Sequence, residues 1–565
     1  MQYSKLCELY EKLEKEPSRL KKTELVSEFL KELKHEISKN PSSSEIIYLL
    51  QGRVWPDYEE KEFGISTQLS IKAIERASGA SNKEIIHKFK KTGDLGLVSE
   101  ECFKHKKQST LYSHKLTTEK IIENLKKLPA LQGKGTVDKK LALISELLTS
   151  SSSIEAKYIV RTLLNDLRVG LGSGTIRDSI AWSCFEKDRE KEENKEEYKE
   201  FLSLIQESYD KSTDFALVFE KACKGRESLK RTELTPGKPI KVMLALKAEN
   251  IADGFERVKN EQGKVALEFK YDGFRMLINK DENNKIKIFT RRLDEVTTQF
   301  PEVVDYVKKN IKAKTFIIDS EAVGYDKKTK KYTSFQHISQ RIKRKYDIDK
   351  LASELPVEIN AFDILYLNGK SLIDTPFEER TKILRELIKI EKFKFTAAEQ
   401  LITDNQKRAQ EFYEKALKAG EEGIMFKNLN SPYKPGARVG HMLKLKPSEK
   451  ELDVVITGAE YGEGKRAGWL SSFDIACYDE DSEKFLEIGK VSTGIKEKPS
   501  EESGGVSYEE LTKLLKPLII KEEGKHVKIK PKIVITIIFQ EIQKSPTYES
   551  GFALRFPRFT RLRDK

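Results

Sequence analysis

The amino-acid sequence predicts a multidomain protein, with an all-α domain over residues 1–235, an α+β domain with antiparallel sheets over 236–448, and a small β-barrel over 449–565. Three observations predict this. The 565 residues exceed what one hydrophobic core usually organises. The spacing of apolar residues changes near residue 236 from a helical period to alternation. The last region consists of short strands in close succession.

The first region has apolar residues at three- and four-residue spacing, which is typical of amphipathic helices. Examples are TELVSEFLKEL, KIIENLKKL, KKLALISELL and AKYIVRTLLNDLRVGL, with Ser, Gly and Pro clusters between such segments. The segment TPGKPIKVMLA, residues 235–245, contains two prolines and a glycine. Such a composition indicates a linker that enters a new domain.

Beyond this linker, apolar and polar residues alternate in short runs. VALEFK, MLIN, KIKIFT, TFIIDSEAVGYD and VEINAFDILYL predict strands, and helices such as RTKILRELIKI separate them. After residue 449, further strands are predicted at DVVITGAEYG, SSFDIACYD, FLEIGKVS and IVITIIFQEI. The size of this last region and its run of short strands predict the β-barrel.

The composition favours an intracellular protein with a polyanionic partner. Lys and Arg number 104 against 91 Asp and Glu, a net charge of +13, which favours such a partner without proving it. The N-terminus predicts an amphipathic helix and no signal peptide, and the longest apolar run is too short to span a bilayer. The five cysteines form no close pair in sequence, which argues against a zinc knuckle or disulfide framework and for a reducing compartment. They are Cys7, Cys102, Cys184, Cys223 and Cys477.

The stretch KVALEFKYDGFRMLIN, residues 264–279, contains a lysine at the end of a predicted strand. Alternation runs up to Lys270, and Asp272 with the following glycine predicts a turn into a second strand. Lys270 shares a strand face with Glu268 and lies shortly before Arg275. A single lysine of this kind is ordinarily a solvated surface residue, so other charged segments must decide its role.

Three further segments place charged side chains at the ends of predicted strands, namely FIIDSEAVGYD, AGEEGIMFK and HMLKLK. They supply the carboxylates of Glu321 and Glu422 and the ammonium groups of Lys427, Lys444 and Lys446. Each segment alone is a weak signal, because strands commonly end in charged residues. Together they offer carboxylates and cations that one sheet can bring towards Lys270.

A lysine becomes a nucleophile only when it loses its proton. Its free pKa is roughly 10.4, so about one molecule in a thousand is neutral near pH 7. Neighbouring cations, partial burial and a bound metal lower that pKa. Carboxylates suit Mg²⁺, with Mn²⁺ as an alternative, and lysine and arginine can hold a phosphate chain. This set favours attack on a nucleotide phosphate over Schiff-base chemistry, which needs no metal.

These motifs, in this order, resemble those of the covalent nucleotidyltransferases, and among them the ATP-dependent DNA ligases of the archaeal and eukaryotic replicative type. KYDGFR is similar to the family motif K-x-D-G-x-R, and TRRLDEVT is similar to the motif that follows it. The resemblance implies a DNA-binding domain, an adenylation domain and an OB-fold domain. It also implies that Lys270 takes AMP as a phosphoramide and that Asp272 assists the later steps. The implied nucleotide or phosphate contacts are Glu268, Arg275, Arg291, Phe362, Lys427, Arg438, Lys444 and Lys446, with Phe362 stacked on adenine, and the implied metal ligands are Glu321 and Glu422.

Two segments of the helical region resemble the DNA-binding domain of these ligases. They are GDLGLVSE, residues 93–100, and KYIVRTLLNDLRVGLGSGTI, residues 157–176. GLGSG follows a helix and not a strand, so it is not a dinucleotide-binding fingerprint. Its bare backbone can meet DNA phosphates beside a helix start, or it can simply end one helix and turn the chain. The sequence leaves both readings open.

The C-terminal segment GFALRFPRFTRLRDK resembles the closing motif of the OB domain. The resemblance implies that Arg555, Arg558 and Lys565 reach the β- and γ-phosphates of ATP. The family usually reads R-x-R-x-D-K and continues into a helical tail, whereas this sequence has one residue fewer and stops. The role of Lys565 and the native end of the chain therefore stay open.

A shortened sliding-clamp motif is predicted in KKQSTLYSHKL, residues 106–116. Gln108, Leu111 and Tyr112 carry this resemblance, which implies a sliding clamp (PCNA) as a partner.

We therefore predict a monomeric, cytoplasmic, ATP-dependent DNA ligase of archaeal type that seals nicks in duplex DNA during replication, repair and recombination. An mRNA-capping or RNA-ligating enzyme would share the lysine chemistry, but the long helical domain argues against it. A non-catalytic scaffold would retain Lys270 and its carboxylates without use. NAD⁺ is disfavoured as the donor, because the upstream domain and four-cysteine zinc site of NAD⁺-dependent ligases are not recognised in the sequence. ADP as an alternative donor stays open.

Overall fold

The computed structural model describes residues 1–563 except 60, 105–114, 334, 343, 345, 448–449, 463–465, 467 and 498–505. Lys565 and the three residues of the predicted clamp motif, Gln108, Leu111 and Tyr112, lie outside the described residues. The chain divides into two compact units, Met1–Leu445 and Lys446–Lys565. No helix within the described ranges is long and apolar enough to cross a membrane.

The described residues up to Lys230 form helices joined by turns and loops, as the apolar spacing predicts. Local signals set the helix ends. Ser152 and Glu155 form a capping box at the start of α9, and Gly79 takes a left-handed conformation after α4. The helices are α1 (Tyr3–Lys15), α2 (Arg19–Lys39), α3 (Ile46–Leu49), α4 (Thr67–Ser78), α5 (Asn82–Thr92), α6 (Leu95–Lys104), α7 (Thr118–Lys127), α8 (Thr136–Thr149), α9 (Ser153–Leu163), α10 (Ser173–Cys184), α11 (Lys195–Ser212), α12 (Phe215–Cys223) and α13 (Arg226–Lys230).

Two sequence segments that resemble a DNA-binding domain meet in a buried ion-pair network. Asp94, just before α6, lies 2.6 Å from Arg161 of α9, and both side chains are almost fully buried. Glu14 of α1 lies 2.9 Å from the same guanidinium. A Cβ on Gly96 would lie 2.6 Å from Cγ of Arg161, so only glycine allows α6 to approach α9 this closely. These residues of the two segments therefore hold the helical domain together.

Two sheets follow in the same unit, and their hydrophobic faces pack together. One has the strand order β1-β12-β11-β2-β10, the other the order β4-β3-β5-β7-β8, with β6 on β5 and β9 on β7. Adjacent strands are antiparallel except β1 with β12 and β7 with β9. The elements are β1 (Leu244–Lys247), α14 (Ile251–Val258), β2 (Val265–Lys270), β3 (Phe274–Lys280), β4 (Ile286–Thr290), α15 (Pro301–Asn310), β5 (Phe316–Tyr325), β6 (Tyr332–Thr333), α16 (Phe335–Ile342), α17 (Ile348–Glu354), β7 (Val357–Leu367), β8 (Lys370–Ser371), α18 (Phe377–Leu387), β9 (Phe395–Ala397), β10 (Gln400–Thr403), α19 (Gln406–Lys418), β11 (Gly423–Lys427) and β12 (Arg438–Leu445).

The period-two pattern of the strands explains this packing. Leu277 and Ile317 of the second sheet pack against Val439 and Met442 of the first. Alternate residues, such as Ile278, point to the opposite face and pack with α15 and α18. The first sheet is covered on its outer face by α14 and α19. Each sheet therefore packs on the other sheet with its inner face and is covered by helices on its outer face.

One expectation about strand ends is wrong. Glu321 lies in the middle of β5, which continues to Tyr325, and not at the end of a strand. Residues 319–321 are all polar, which predicts the end of the strand. In the fold this segment pairs with β3 on one side and β7 on the other, so its backbone stays in the ladder.

The helical domain contacts the sheets through Asp210 of α11. The backbone oxygen of Asp210 accepts from the Lys241 N–H at 2.8 Å, and its carboxylate lies against Gly436, where a Cβ would be 2.3 Å from Cγ of Asp210. Gly436 has a φ of +69°, which also favours glycine. Burial raises the pKa of Asp210 to about 6, although Gln206, Lys241 and Arg177 act in the opposite direction. Ionisation of Asp210 therefore destabilises this contact.

Asp210→Asn is expected to stabilise the protein above pH 6. The pKa of Asp210 is higher in the folded chain than in the unfolded one, so its favourable contribution is present below the unfolded pKa and is lost as the pH rises through about 6. Asparagine resembles the protonated acid, and the gain at pH 8 should be about 3 kcal/mol. Unfolding midpoints at pH 5 and pH 8 measure this. Glu207→Gln, on the exposed side of the same helix, is the control, and an equal gain at both pH values would contradict the assignment.

The second unit is rich in strands, in agreement with the OB-fold class. Its main sheet has the order β15-β14-β13-β17-β16, with β18 paired to β13 and β21, and β19 pairs with β20. The apolar faces of these strands enclose a core that includes Leu511 of α20. The elements are β13 (Lys450–Tyr461), β14 (Leu470–Asp479), β15 (Lys484–Val491), α20 (Tyr508–Leu515), β16 (Ile519–Glu523), β17 (His526–Ile529), β18 (Val534–Phe539), β19 (Ile542–Lys544), β20 (Phe552–Leu554) and β21 (Arg558–Leu562).

Candidate active site

A cavity of about 910 Å³ opens between the two sheets of the first unit. Its walls come from β1, β2, β11 and β12 on one side and from β3, β4, β5 and β7 on the other. The predicted site residues that line it are Glu268, Lys270, Arg275, Arg291, Glu321, Phe362, Lys427, Arg438 and Lys444. The fold thus brings together side chains from segments that are far apart in sequence.

Lys270 is the last residue of β2, and the neighbouring strand β11 ties it to Glu422. The backbone oxygen of Lys270 accepts from the Glu422 N–H at 2.9 Å, and Nζ of Lys270 lies 2.6 Å from Oε2 of Glu422. The Lys270 side chain is 23% exposed, so a ligand in the cavity can reach it. Because the carboxylate stabilises the ammonium form, nucleophilic attack by Lys270 requires Glu422 to give up this contact.

Arg275 is fixed by groups at the back of the cavity. Its Nε donates to Oδ1 of the fully buried Asp319 at 2.8 Å, and Nη2 also contacts this carboxylate. Nη1 donates to the Met243 backbone oxygen at 2.8 Å. The Tyr433 hydroxyl donates to Asp319 at 2.7 Å and accepts from Arg275 at 3.1 Å. Arg275 is therefore oriented by its neighbours before any phosphate contact.

Phe362 lines the cavity at one of two positions where β7 carries an extra residue relative to β5. Ser320 of β5 pairs with Ala361, whereas Asp319 pairs with Asp363, so Phe362 is the unpaired residue of a β-bulge. Its ring lies 5.3 Å from the guanidinium carbon of Arg275 and 4.8 Å from Nζ of Lys427. The ring thus lies beside two cations and lines the cavity.

Glu268 and Lys427 form a buried ion pair in the cavity wall. Nζ of Lys427 lies 2.6 Å from Oε2 of Glu268, and both side chains are almost completely buried. Gln400 of β10, which pairs with Glu268 across the sheet, donates to Oε1 at 2.9 Å. Lys427 also donates to the Phe362 backbone oxygen at 3.3 Å. This pair lies beside the aromatic ring, so Lys427 has contacts of its own besides any to a phosphate.

Two carboxyl groups near Lys270 ionise with difficulty. Burial raises the pKa of Glu321 to about 7, although Lys270 and Arg275 act in the opposite direction. Burial likewise raises the pKa of Glu421 to about 7, while its hydrogen bond from the Asp272 N–H, at 3.0 Å, opposes this. Through that bond Glu421 fixes the turn after Lys270. Asp272 itself is almost buried in this turn.

Glu321 and Glu422 fit a divalent metal. Among the described residues there is no group of three or more His, Cys, Asp or Glu side chains arranged for a metal. Mg²⁺, however, usually takes one or two carboxylates, with water and substrate phosphates completing the shell. Glu321 and Glu422 act electrostatically on one another, and Lys270 lies near both. The donor set therefore suits a hard cation shared with a phosphate ligand.

The remaining predicted residues differ in position. Arg291 and Arg438 line the cavity with exposed side chains, and Lys444 lines it from β12. Lys446 follows β12 and belongs to the second unit, as do Arg555 and Arg558. Arg555 is almost buried there and lies 3.1 Å from Glu541. Arg558 is exposed on β21.

The sequence indicates Asp319 only as a carboxylate beside Glu321, with no role assigned to it, and it does not single out Tyr433 and Gln400 as site residues. A carboxylate inside the apolar run FIID was a usable signal for Asp319. The contacts of Gln400 and Tyr433 join residues more than a hundred positions apart, and no local pattern indicates them.

Comparisons with known proteins match the whole length of the chain. Three family models apply, DNA ligase N terminus over residues 2–181, ATP dependent DNA ligase domain over 242–446, and ATP dependent DNA ligase C terminal region over 466–565. The chain is 44% identical to the DNA ligase of Nanoarchaeum equitans and 40% identical to that of Thermococcus fumicolans, in each case over 100% of this chain and 95% of the relative. The solved structure of Pmar-Lig_PreS3 has a TM-score of 0.52 at 18% identity and covers 98% of both chains, which supports the fold alone.

Proposed function

The chain belongs to the ATP-dependent DNA ligase family and seals nicks in DNA, and on this premise we propose that Lys270 is the nucleophile that accepts AMP. The observation that carries this proposal is the position of Lys270 at a strand end inside the cavity, with Nζ 2.6 Å from Glu422. A lysine in the wall of a cavity lined by further cations can meet the α-phosphate of a nucleotide.

In the first step, Nζ of Lys270 attacks the α-phosphorus of ATP. A nitrogen–phosphorus bond forms, the bond to the bridging oxygen breaks, and pyrophosphate leaves. Nζ leaves its contact with Glu422 for this attack, and Arg275 and Lys444, which line the same cavity, can hold the phosphates. Arg291, Arg438, Lys446, Arg555 and Arg558 are the further phosphate contacts that we propose for this step and the later ones.

We propose Mg²⁺, with Mn²⁺ as an alternative, as the divalent metal that the family uses. Glu321 and Glu422 would hold it. When bound, such a metal neutralises phosphate charge and disfavours the ammonium form of a neighbouring lysine. Burial raises the pKa of Glu321 to about 7 even beside Lys270 and Arg275, so a bound cation would have to compete with a proton for this carboxyl.

AMP then passes from Lys270 to the 5′-phosphate of the nick, and the 3′-hydroxyl attacks that adenylate and releases AMP. Asp272 assists these later steps, and Glu421 positions it through the Asp272 N–H. Nicked duplex DNA is the substrate. A sliding clamp remains a proposed partner through Gln108, Leu111 and Tyr112, and the protein is proposed to act as a monomer.

The adenine base is proposed to stack on Phe362, with Glu268 beside its edge. Phe362→Ala should raise the KM for ATP in the first step about tenfold, because the stacking of a base on an aromatic side chain contributes about 1–3 kcal/mol. The rate of self-adenylation against ATP concentration measures this. Phe362→Tyr keeps the ring and is the matched control. An equal loss in both variants, or none in either, would count against stacking.

The proposed function is tested by incubating the full chain with α-labelled ATP and Mg²⁺ without DNA, followed by denaturation and a gel. We expect a label that survives denaturation and is released by nicked duplex, with sealing of the nick, but not by intact duplex. GTP in a parallel reaction tests the capping-enzyme alternative and should give no label. Failure to label, even after pyrophosphate has removed any AMP already bound, would overturn the proposal.

A further inference from the structure

Two cysteines of the helical domain lie side by side although they are 39 positions apart in sequence. Cys184 is the last residue of α10, and Cys223 is the last residue of α12. Their Sγ atoms are 3.9 Å apart. No local sequence pattern indicates this pair, because the meeting of two helix ends depends on the tertiary fold.

The surroundings of the pair allow one thiol to ionise and the other to meet solvent. Cys184 is 7% exposed, and Cys223 is only partly buried. The contact from Cys223 lowers the pKa of Cys184 against the effect of burial, with further help from Ser183 and from Lys34 of α2. The contact with Cys184, and then burial, raise the pKa of Cys223. The two thiols thus share one contact in which either sulfur can be the donor, and the lowered pKa favours Cys184 as the first to ionise.

We propose that Cys184 and Cys223 are a modification site that closes to a reversible disulfide under a peroxide oxidant. A disulfide bond is about 2.05 Å long, so the two sulfurs, 3.9 Å apart, must approach by about 2 Å. Within the part of the chain that the structure describes, no third metal-ligating side chain joins the pair, so a metal site is not the better reading.

The chemistry balances with hydrogen peroxide as the oxidant. The Cys184 thiolate attacks one peroxide oxygen, the oxygen–oxygen bond breaks, and the hydroxide that leaves takes a proton to become water. This gives a sulfenic acid on Cys184. The Cys223 sulfur then attacks the sulfenic sulfur, the sulfur–oxygen bond breaks, and a second water leaves. Two thiols and one peroxide thus become one disulfide and two waters, and an added dithiol reverses the change.

The cross-link would constrain the segment between the two cysteines. This segment contains α11, whose Asp210 lies against Gly436 beside the start of β12. Closing a loop of this length restricts the unfolded chain and so stabilises the folded domain. The disulfide is therefore expected to rigidify the helical domain on the side that contacts the sheets.

The test compares the full chain before and after mild hydrogen peroxide, by intact mass and by peptide mapping. We expect the loss of two hydrogen atoms, a cross-linked peptide that joins Cys184 to Cys223, and a rise of about 5 °C in the unfolding midpoint that a dithiol reverses. Cys184→Ser and Cys223→Ser should each abolish both changes. Cys477→Ser, at the partly exposed cysteine of the second unit, should leave them intact.

Two results would overturn the proposal. One is peroxide treatment that leaves both thiols free or converts either one only to a higher oxidation state without a cross-link. The other is the same rise in the unfolding midpoint in Cys184→Ser as in the unsubstituted chain. Serine is nearly isosteric with cysteine, so each single variant should fold. The unfolding midpoint of each untreated variant checks this before the comparison is made.

Discussion

Lys270→Arg is expected to abolish the covalent adenylate and to lower overall nick sealing on the order of 10⁴-fold or more. Arginine keeps the positive charge and can retain the contact with Glu422, but its guanidinium does not lose a proton in proteins and cannot attack phosphorus. The variant should still seal a nick that already carries the 5′-adenylate, because that step needs no lysyl-AMP. Two measurements distinguish these steps. One is the label that the protein retains after denaturation, and the other is the sealing of each substrate, the ordinary nick and the nick with the 5′-adenylate.

The control for this variant is Lys280→Arg. Lys280 ends β3, the next strand along the chain, and donates to the Ala313 backbone oxygen. It therefore tests the effect of the same chemical change in the same domain. It should label and seal like the unsubstituted chain. A Lys270→Arg protein that still carries the label would place the nucleophile elsewhere.

Asp94→Asn is expected to lower the free energy of unfolding by about 3 kcal/mol. Removing one charge of a buried pair leaves the other charge uncompensated in a medium of low dielectric. Arg161 keeps Glu14 as a partner, which limits the loss, but it is only 2% exposed and cannot move into water. Chemical denaturation of the full chain, followed by the signal of the helical domain, measures the effect.

Asp166→Asn is the matched control. Asp166 lies 2.6 Å from Arg168, and both side chains are about half exposed, 52% and 41% respectively. Exposed ion pairs contribute about 0–1 kcal/mol, so this variant should unfold almost like the unsubstituted chain. Equal losses in the two aspartate variants would mean that burial does not decide the strength of the Asp94 pair.

The sequence was sufficient for the local features of the site. Alternation up to Lys270 and the turn at Asp272 predicted the β2–β3 connection, because side-chain period and turn chemistry are local properties. The segment at residues 93–100 resembles part of a DNA-binding domain, but this resemblance does not predict the role of Asp94. Asp94 forms a buried ion pair with Arg161 of α9, far along the chain.

What the sequence could not predict depends on pairing between distant strands and helices. The sequence pattern predicts a strand end at Glu321, yet β3 and β7 extend the ladder on both sides of it. Gln400 reaches Glu268 only because β10 lies next to β2. The contact between Cys184 and Cys223 depends on two helix ends. Each of these contacts is fixed by tertiary packing, and no spacing in the sequence reports it.

The bulge at Phe362 has a consequence for how the segment around it can vary. It shifts by one residue the pairing of β5 with the part of β7 that follows, in which Phe362 lines the cavity and Asp363 binds the buried Arg380 at 2.8 Å. Deleting one residue between Ala361 and Ile364 would remove this shift and reverse the faces of the side chains on one side of the deletion. We therefore expect this stretch of β7 to tolerate substitutions but not insertions or deletions.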